Sequence, residues 1–236
     1  MVITIMQPYF FPYIGYFQLM AAVDCFVFYD DAQYMKGGWI NRNRILRNGS
    51  PAWWTFPVVH DDYRLPINQR CYSRNSDQIR SLLSKIEGAY ADAPYYRIVF
   101  PLLTELLNSN NENVASYNIC VLERLARHLG IKCNFLLASS FQESAALQAQ
   151  SRVIEIGRHL GASKFINPIG GLELYENTHF ADIGIELSFL KTRPTTYPQF
   201  GSTHLPFLSI VDVMMFNSQN QIIELLQEYD LQRPTG

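Results

Sequence analysis

Charge is what this chain has least of. Asp, Glu, Lys and Arg make up 17% of its 236 residues, against about 25% in ordinary globular chains. The 19 basic and 21 acidic side chains leave a formal charge of −2 and form no Lys/Arg run. A general nucleic-acid binder carries a basic face, so no nucleic-acid partner is expected, whereas a small nucleotide-containing ligand remains compatible. No apolar stretch reaches the roughly 20 residues that cross a bilayer, so no membrane span is expected. The opening MVITIMQPYF has no basic stretch ahead of its apolar run and does not read as a signal peptide. Cys25, Cys71, Cys120 and Cys133 show no CxxC spacing and no paired histidines. No structural metal or redox cofactor is therefore expected, and free thiols fit a reducing cytoplasm. GxSxG, P-loop, GxGxxG and HExxH strings are also missing, which removes the usual motif-based assignments.

What replaces charge is aromatic side chains: 14 Tyr, 15 Phe and 3 Trp, within a 48% hydrophobic composition that is ample for a core. Val2–Met6 and Cys25–Tyr29 are short continuous apolar runs, as strands buried on both faces of a parallel sheet require. Helical periodicity at 14–22 separates them, giving one unit of strand, helix and strand. Two apolar runs flank Asn48-Gly49-Ser50-Pro51 and predict an antiparallel hairpin inserted at about 39–59. Helices follow within about 75–129. Strands at 131–138, 164–167 and 185–190 alternate with a helix at 146–160, and helices are expected at 208–216 and 221–229. The expected fold is α/β: a single domain over 1–236 with a parallel five-stranded sheet flanked by helices.

In an open parallel sheet the ligand crevice lies off the carboxyl ends of the strands. The segments assigned to that edge are 7–16, 30–38, 139–143, 168–171 and 191–204. Gln7, Tyr9, Tyr13, Gly15 and Tyr16 form a Pro-stiffened, ring-rich turn at a helix start, where anions are favoured. Asp30 and Asp31 end a strand ahead of Gln33 and Tyr34; such carboxylates hold Mg²⁺ or a sugar hydroxyl, or cap a turn. On a strand Arg42 and Arg44 share one face and Asn41 and Asn43 the other. Paired guanidiniums suit phosphate or carboxylate, although a solvated ribbon face has the same pattern. Trp39 offers a stacking surface for a base or sugar, or joins a cluster with Trp53 or Trp54. Gly170-Gly171 reads as an anion nest or a tight turn. Tyr197, Gln199 and His204 precede an apolar helix; His204 is the first histidine to consider for catalysis, although a lone loop histidine is more often structural or simply exposed.

These same stretches resemble the WbqC-like protein family: Ile5 to Tyr9, Gly15 to Phe17, Asp30 to Tyr34, Trp39 to Arg44, Tyr197 with Gln199, and Phe207 to Asp212. The resemblance implies a bacterial cytoplasmic protein of surface-polysaccharide (O-antigen, lipopolysaccharide) biosynthesis. It also implies a transferase that attaches an amino-acid or acyl group to a nucleotide-linked amino sugar. Arg42 and Arg44 would then hold the diphosphate, Gln7, Asn41 and Asn43 would orient hydroxyls, and Asp30 or Asp31 would act as base or hold Mg²⁺. The partner is a small molecule such as a nucleotide sugar, with homodimer formation left open. The opening topology is similar to nucleotidyltransferase-like proteins, whose His-x-Gly-His phosphate grip is replaced here by Tyr13-Ile14-Gly15-Tyr16. Two further readings follow: a non-catalytic sugar- or nucleotide-binding partner protein, and an ATP-dependent adenylating enzyme.

Overall fold

A computed structural model describes residues 1–62, 64–201 and 203–234. Five strands run parallel: β1 (Val2–Met6), β2 (Cys25–Phe28), β5 (Asn134–Leu137), β6 (Lys164–Pro168) and β7 (Glu186–Thr192). The sheet has six strands rather than the expected five. β8 (Tyr229–Gln232) pairs antiparallel with β7, in the order β5-β2-β1-β6-β7-β8. The helix expected at 221–229 instead spans α8 (Gln219–Leu225) and stops at the turn into β8. β3 (Arg42–Arg47) and β4 (Ser50–Thr55) form the inserted antiparallel ribbon.

Both faces of the sheet are covered, which is why its strands read as unbroken apolar runs. Phe26 and Phe28 point to one core, built with α1 (Ile14–Ala21), α2 (Ser76–Tyr90), α3 (Tyr96–Leu107), α4 (Val114–His128), α7 (Ile210–Phe216) and the ribbon. Cys25 and Val27 point to the other, under α5 (Ala149–His159) and α6 (Asn177–Ala181). Burial on all sides leaves α1 nearly without a polar face. Its one amide, Gln18, donates to the carbonyls of Leu225 and Glu228 at 2.8 and 3.0 Å, so it satisfies the chain end that leads into β8.

The strand order places the topological switch between β1 and β6: the chain works outward from β1 through β2 to β5, then returns to β1's other side. β1 and β2 stay paired as far as Met6↔Phe28. Between β1 and β6 the ladder holds only Val2↔Lys164 and Ile3↔Phe165, while β6 and β7 pair through Pro168↔Leu190. The two central strands therefore part at their carboxyl ends, where doubly wound sheets bind ligands.

Candidate functional site

A cavity of about 760 Å³ opens at that parting. Its floor is Ile5, Met6 and Gln7 from the end of β1 and Asn167 and Pro168 from the end of β6; one wall is Tyr9, Tyr13, Gly15 and Tyr16, another Trp39, Asn43 and Arg44 of the ribbon. Tyr29, the start of α5 (Ala149, Gln150), Gly170, Gly171 and Tyr175 close the far side, and Met35, Leu174 and Phe207 stand at the mouth. Two residues lining it, Ala149 and Phe207, hold left-handed backbone angles of φ 47° and 58°. Non-glycine residues adopt these at a cost that clusters at functional sites.

The lining is neutral apart from Arg44. Its Nη2 reaches the Phe207 carbonyl only at 3.4 Å, its Nε is buried without a partner, and its guanidinium lies 5.6 Å from the Trp39 ring. The Gln7 carboxamide and the Tyr9 and Tyr175 hydroxyls make no hydrogen bond within the described residues, and the Asn167 amide only a 3.4 Å contact with the Pro168 carbonyl. These groups face open space with capacity to spare. Burial raises the phenols of Tyr9 and Tyr13 and carries Tyr175 up to about 12, so at neutral pH they are hydrogen-bond donors and not bases. Tyr16 is spent on the structure, donating to the Gln7 carbonyl at 2.8 Å.

Two glycines are fixed by close approach. A side chain at Gly15 would collide with the Tyr13 ring and Thr192 Oγ1, and one at Gly171 with the Asn167 amide. Gly15 thus leaves the space that the Tyr13 ring occupies at the cavity wall. Gly15→Ala should keep the fold, cost about 1–3 kcal/mol by overpacking and push Tyr13 into the cavity. Thermal melts and a ligand titration of the same variant check both parts; unchanged affinity would remove Tyr13 from the binding wall.

Of the other sequence-derived residues, all but Asn43 lie outside the cavity. Asp30 is buried and accepts from the Ser139 amide at 3.0 Å and Asn68 Nδ2 at 3.2 Å, tying two loops to the end of β2. Asp31 pairs with Arg152 of α5, whose guanidinium lies 5.0 Å from the Tyr29 ring. The two carboxylates therefore serve different partners, and no group of three or more His, Cys, Asp or Glu side chains gathers among the described residues. Gln33 is exposed. Tyr34 donates to Asn41 Oδ1 at 2.9 Å, and Asn41 donates to the Phe56 carbonyl. Asn43 lines the cavity but donates to the Phe10 carbonyl and accepts from the Arg44 amide. Arg42 lies over Trp53.

Tyr197 and Gln199 both donate to Asp212 Oδ2, at 2.7 and 2.6 Å, while Tyr90 donates to Oδ1 at 3.0 Å. His204 stacks edge-on against Tyr197, 4.7 Å between ring centres, with Nδ1 3.2 Å from the Tyr197 carbonyl. The structure thus gathers Tyr197, Gln199 and His204 around a buried carboxylate away from Gln7, instead of joining them to it.

The WbqC-like protein family matches the chain over residues 7–224, a range that holds every cavity residue except Ile5 and Met6. The chain belongs to this family. The uncharacterized protein Rv1507c of Mycobacterium tuberculosis is a relative, 26% identical over 218 residues that cover 91% of this chain and 93% of its own length. No solved structure matches. Family membership therefore extends over the ribbon, the switch-point cavity and the Asp212 cluster alike. Among the described residues no helix is long and apolar enough to cross a membrane.

Proposed function

We propose that the protein is a transferase of bacterial surface-polysaccharide biosynthesis that holds a nucleotide-linked amino sugar in the switch-point cavity and joins its amine to an activated acyl or aminoacyl group. The observation that carries this is the composition of the cavity: ring faces and unspent neutral hydrogen-bonding groups, with a single cation. Hydroxyl-rich rings are recognised by such amides, phenols and aromatic faces, and the one guanidinium suits an anionic linkage. Family membership supports the same assignment.

The reaction needs little from the protein's acids and bases. The amine nitrogen attacks the acyl carbon, the C–N bond forms as the bond to the leaving group breaks, and the amine's proton departs with the leaving group. Holding the two reactants together is itself a large acceleration. The Tyr9 and Tyr175 phenols, held protonated by burial, are donors suited to the developing oxyanion.

A thermal-shift screen against UDP-, dTDP- and GDP-linked amino sugars and ATP, with and without Mg²⁺, tests the binding step. A true ligand at about 100 times its Kd adds roughly 2.7 kcal/mol and should raise Tm by several degrees. Mass spectrometry of the sugar after incubation with an acyl thioester or an aminoacyl adenylate tests the transfer. Absence of a shift with every nucleotide sugar would sink the assignment.

A second reading, a non-catalytic binding protein, has one observation in its favour: among the described residues the cavity lining contains no carboxylate, histidine, cysteine or hydroxyl nucleophile other than phenols. Binding without product formation would establish it. An adenylating reading draws on the resemblance of the opening sequence to nucleotidyltransferase-like proteins. It is weakened by the neutral Tyr13 and Tyr16 in place of two histidines.

A further inference from the structure

The ribbon carries a second feature that extends beyond the cavity. Alternation along β3 and β4 buries Asn43 and Trp54 and turns Arg42, Arg44 and Trp53 outward. Arg42 lies 4.1 Å from the Trp53 ring, Trp53 packs 5.6 Å from Trp39 at 41°, and Arg44 lies 5.6 Å from Trp39. The result is a row of two adjacent indoles with a guanidinium at each end, starting at the cavity wall with Arg44 and Trp39 and running outward to Trp53 and Arg42. Trp39 is 38% exposed and Trp53 48%, although large aromatics are ordinarily covered.

Arg42 is held in place before any ligand arrives. Its Nε donates to the Gly38 carbonyl at 3.2 Å and its Nη2 to the Gly37 carbonyl, while Nη1 makes no hydrogen bond within the described residues. Neither Arg42 nor Arg44 has an acidic partner there. Residues 32–60 contain Lys36, Arg42, Arg44 and Arg47 and no Asp or Glu, in a chain whose net charge is −2. A local positive field and ordered stacking surfaces thus coincide, the combination that binds phosphate and base together.

We infer that this row is a nucleoside-diphosphate subsite that begins on the cavity wall at Arg44 and Trp39 and extends beyond the cavity to Trp53 and Arg42. This deepens the proposed function and rests on it for the identity of the group inside. Charge decides the orientation. The cavity offers one cation, at its ribbon wall, so two phosphate charges are poorly compensated within. The phosphates bridge Arg44 and the free Nη1 of Arg42, the base stacks on the exposed indole of Trp53, and the sugar projects inward toward Gln7, Tyr9, Asn167 and Tyr175. Trp53 becomes a binding residue that sequence spacing alone did not single out, and Arg42 gains its role outside the cavity.

Isothermal titration of the full chain with UDP, a UDP-linked amino sugar and the free amino sugar tests this. Trp53→Ala and Arg42→Ala should each weaken UDP and the UDP-sugar by roughly tenfold or more, with Tm nearly unchanged because both side chains are on the outer face. Trp53→Phe should recover most of the loss. Tyr9→Phe, inside the cavity, should weaken the UDP-sugar but leave UDP unchanged. Equal UDP affinity in the wild type and in both alanine variants overturns the subsite, and if the UDP-sugar still binds, the cavity assignment survives alone. Wild-type binding of UDP that gains nothing from the attached sugar keeps the subsite and overturns the cavity assignment. Binding of an oligothymidylate in place of UDP, lost in the same variants, overturns the subsite in favour of a polymer surface.

Discussion

Asp212→Ala should lower Tm by about 6 to 12 °C, the largest stability effect expected of any single substitution away from the apolar core. Asp212 is fully buried in α7 and takes three hydrogen bonds from two separate segments: Tyr90 at the end of α2, and Tyr197 and Gln199 in the loop after β7. Tyr90 Oη also accepts from the Leu46 amide of β3 at 2.9 Å, and Gln199 Oε1 accepts from the Leu205 amide at 2.8 Å. One carboxylate thus knits a helix end, the ribbon and a long loop to α7. Removing it strands donors in the interior at about 1–3 kcal/mol each. Relief of a buried charge offsets part of this, which leaves a loss of about 3 kcal/mol; for a chain of this size each kcal/mol is worth about 2–4 °C.

Its protonation carries a sign that can be checked. Burial raises the Asp212 carboxyl above its ordinary 3.8, and the hydrogen bonds from Tyr197, Gln199 and Tyr90 only partly counter this. A carboxyl whose folded-state value is raised binds its proton more readily in the folded chain, so protonation favours folding. Its contribution is complete below the ordinary value and is lost as pH rises through the raised one. Urea melts of wild type and Asp212→Asn across pH 3 to 8 should show this slope in the wild type and not in the variant. Parallel curves would mean that the three donors outweigh burial.

The sequence revealed the five parallel strands and missed the antiparallel edge strand β8 for one physical reason. β1, β2, β6 and β7 are covered on both faces, so they announce themselves as apolar runs. β8, Tyr229-Asp230-Leu231-Gln232, lies at the edge with three of four residues exposed and directly follows a helix, so nothing in its composition marks it as a strand. The site divides in the same way. Gln7 to Tyr16 and Gly170-Gly171 were reachable because the carboxyl-edge rule needs only strand directions, Trp39 and Arg44 were reached through the alternation and chemistry of the ribbon, and Asn167 at the end of β6 was open to the edge rule. Gln150, Leu174 and Tyr175 were not, since they enter through a helix start and a short helical turn whose aim depends on tertiary packing. Tyr197 and Gln199 do converge on one point, but on a partner overlooked in the sequence. A lone acid within Ile210-Val211-Asp212-Val213-Met214 was the available signal, because a carboxylate in an apolar helix must be met by donors.

Arg44→Ala should weaken an anionic ligand of the cavity by about 2–3 kcal/mol, some 30- to 150-fold, while sparing a neutral sugar. Arg44 is the only charged side chain on the lining, and the rest of the protein makes poor use of it: a buried Nε without a partner and one 3.4 Å contact to a carbonyl. A guanidinium so little engaged contributes little to folding, and its loss should move Tm by no more than a few degrees, chiefly through the Trp39 contact. Arg44→Lys retains the charge but not the planar fork, so it should recover part of the affinity and not all of it. Because the pairing is coulombic at a half-open mouth, wild-type affinity should fall as salt rises from 50 to 500 mM, and the alanine variant should lose most of that dependence. Calorimetric titration of a charged nucleotide sugar and its uncharged sugar against both proteins reads all of this. Equal losses for the charged and the neutral ligand would make Arg44 a shaping residue of the wall, and the cavity would then have no means of selecting an anion.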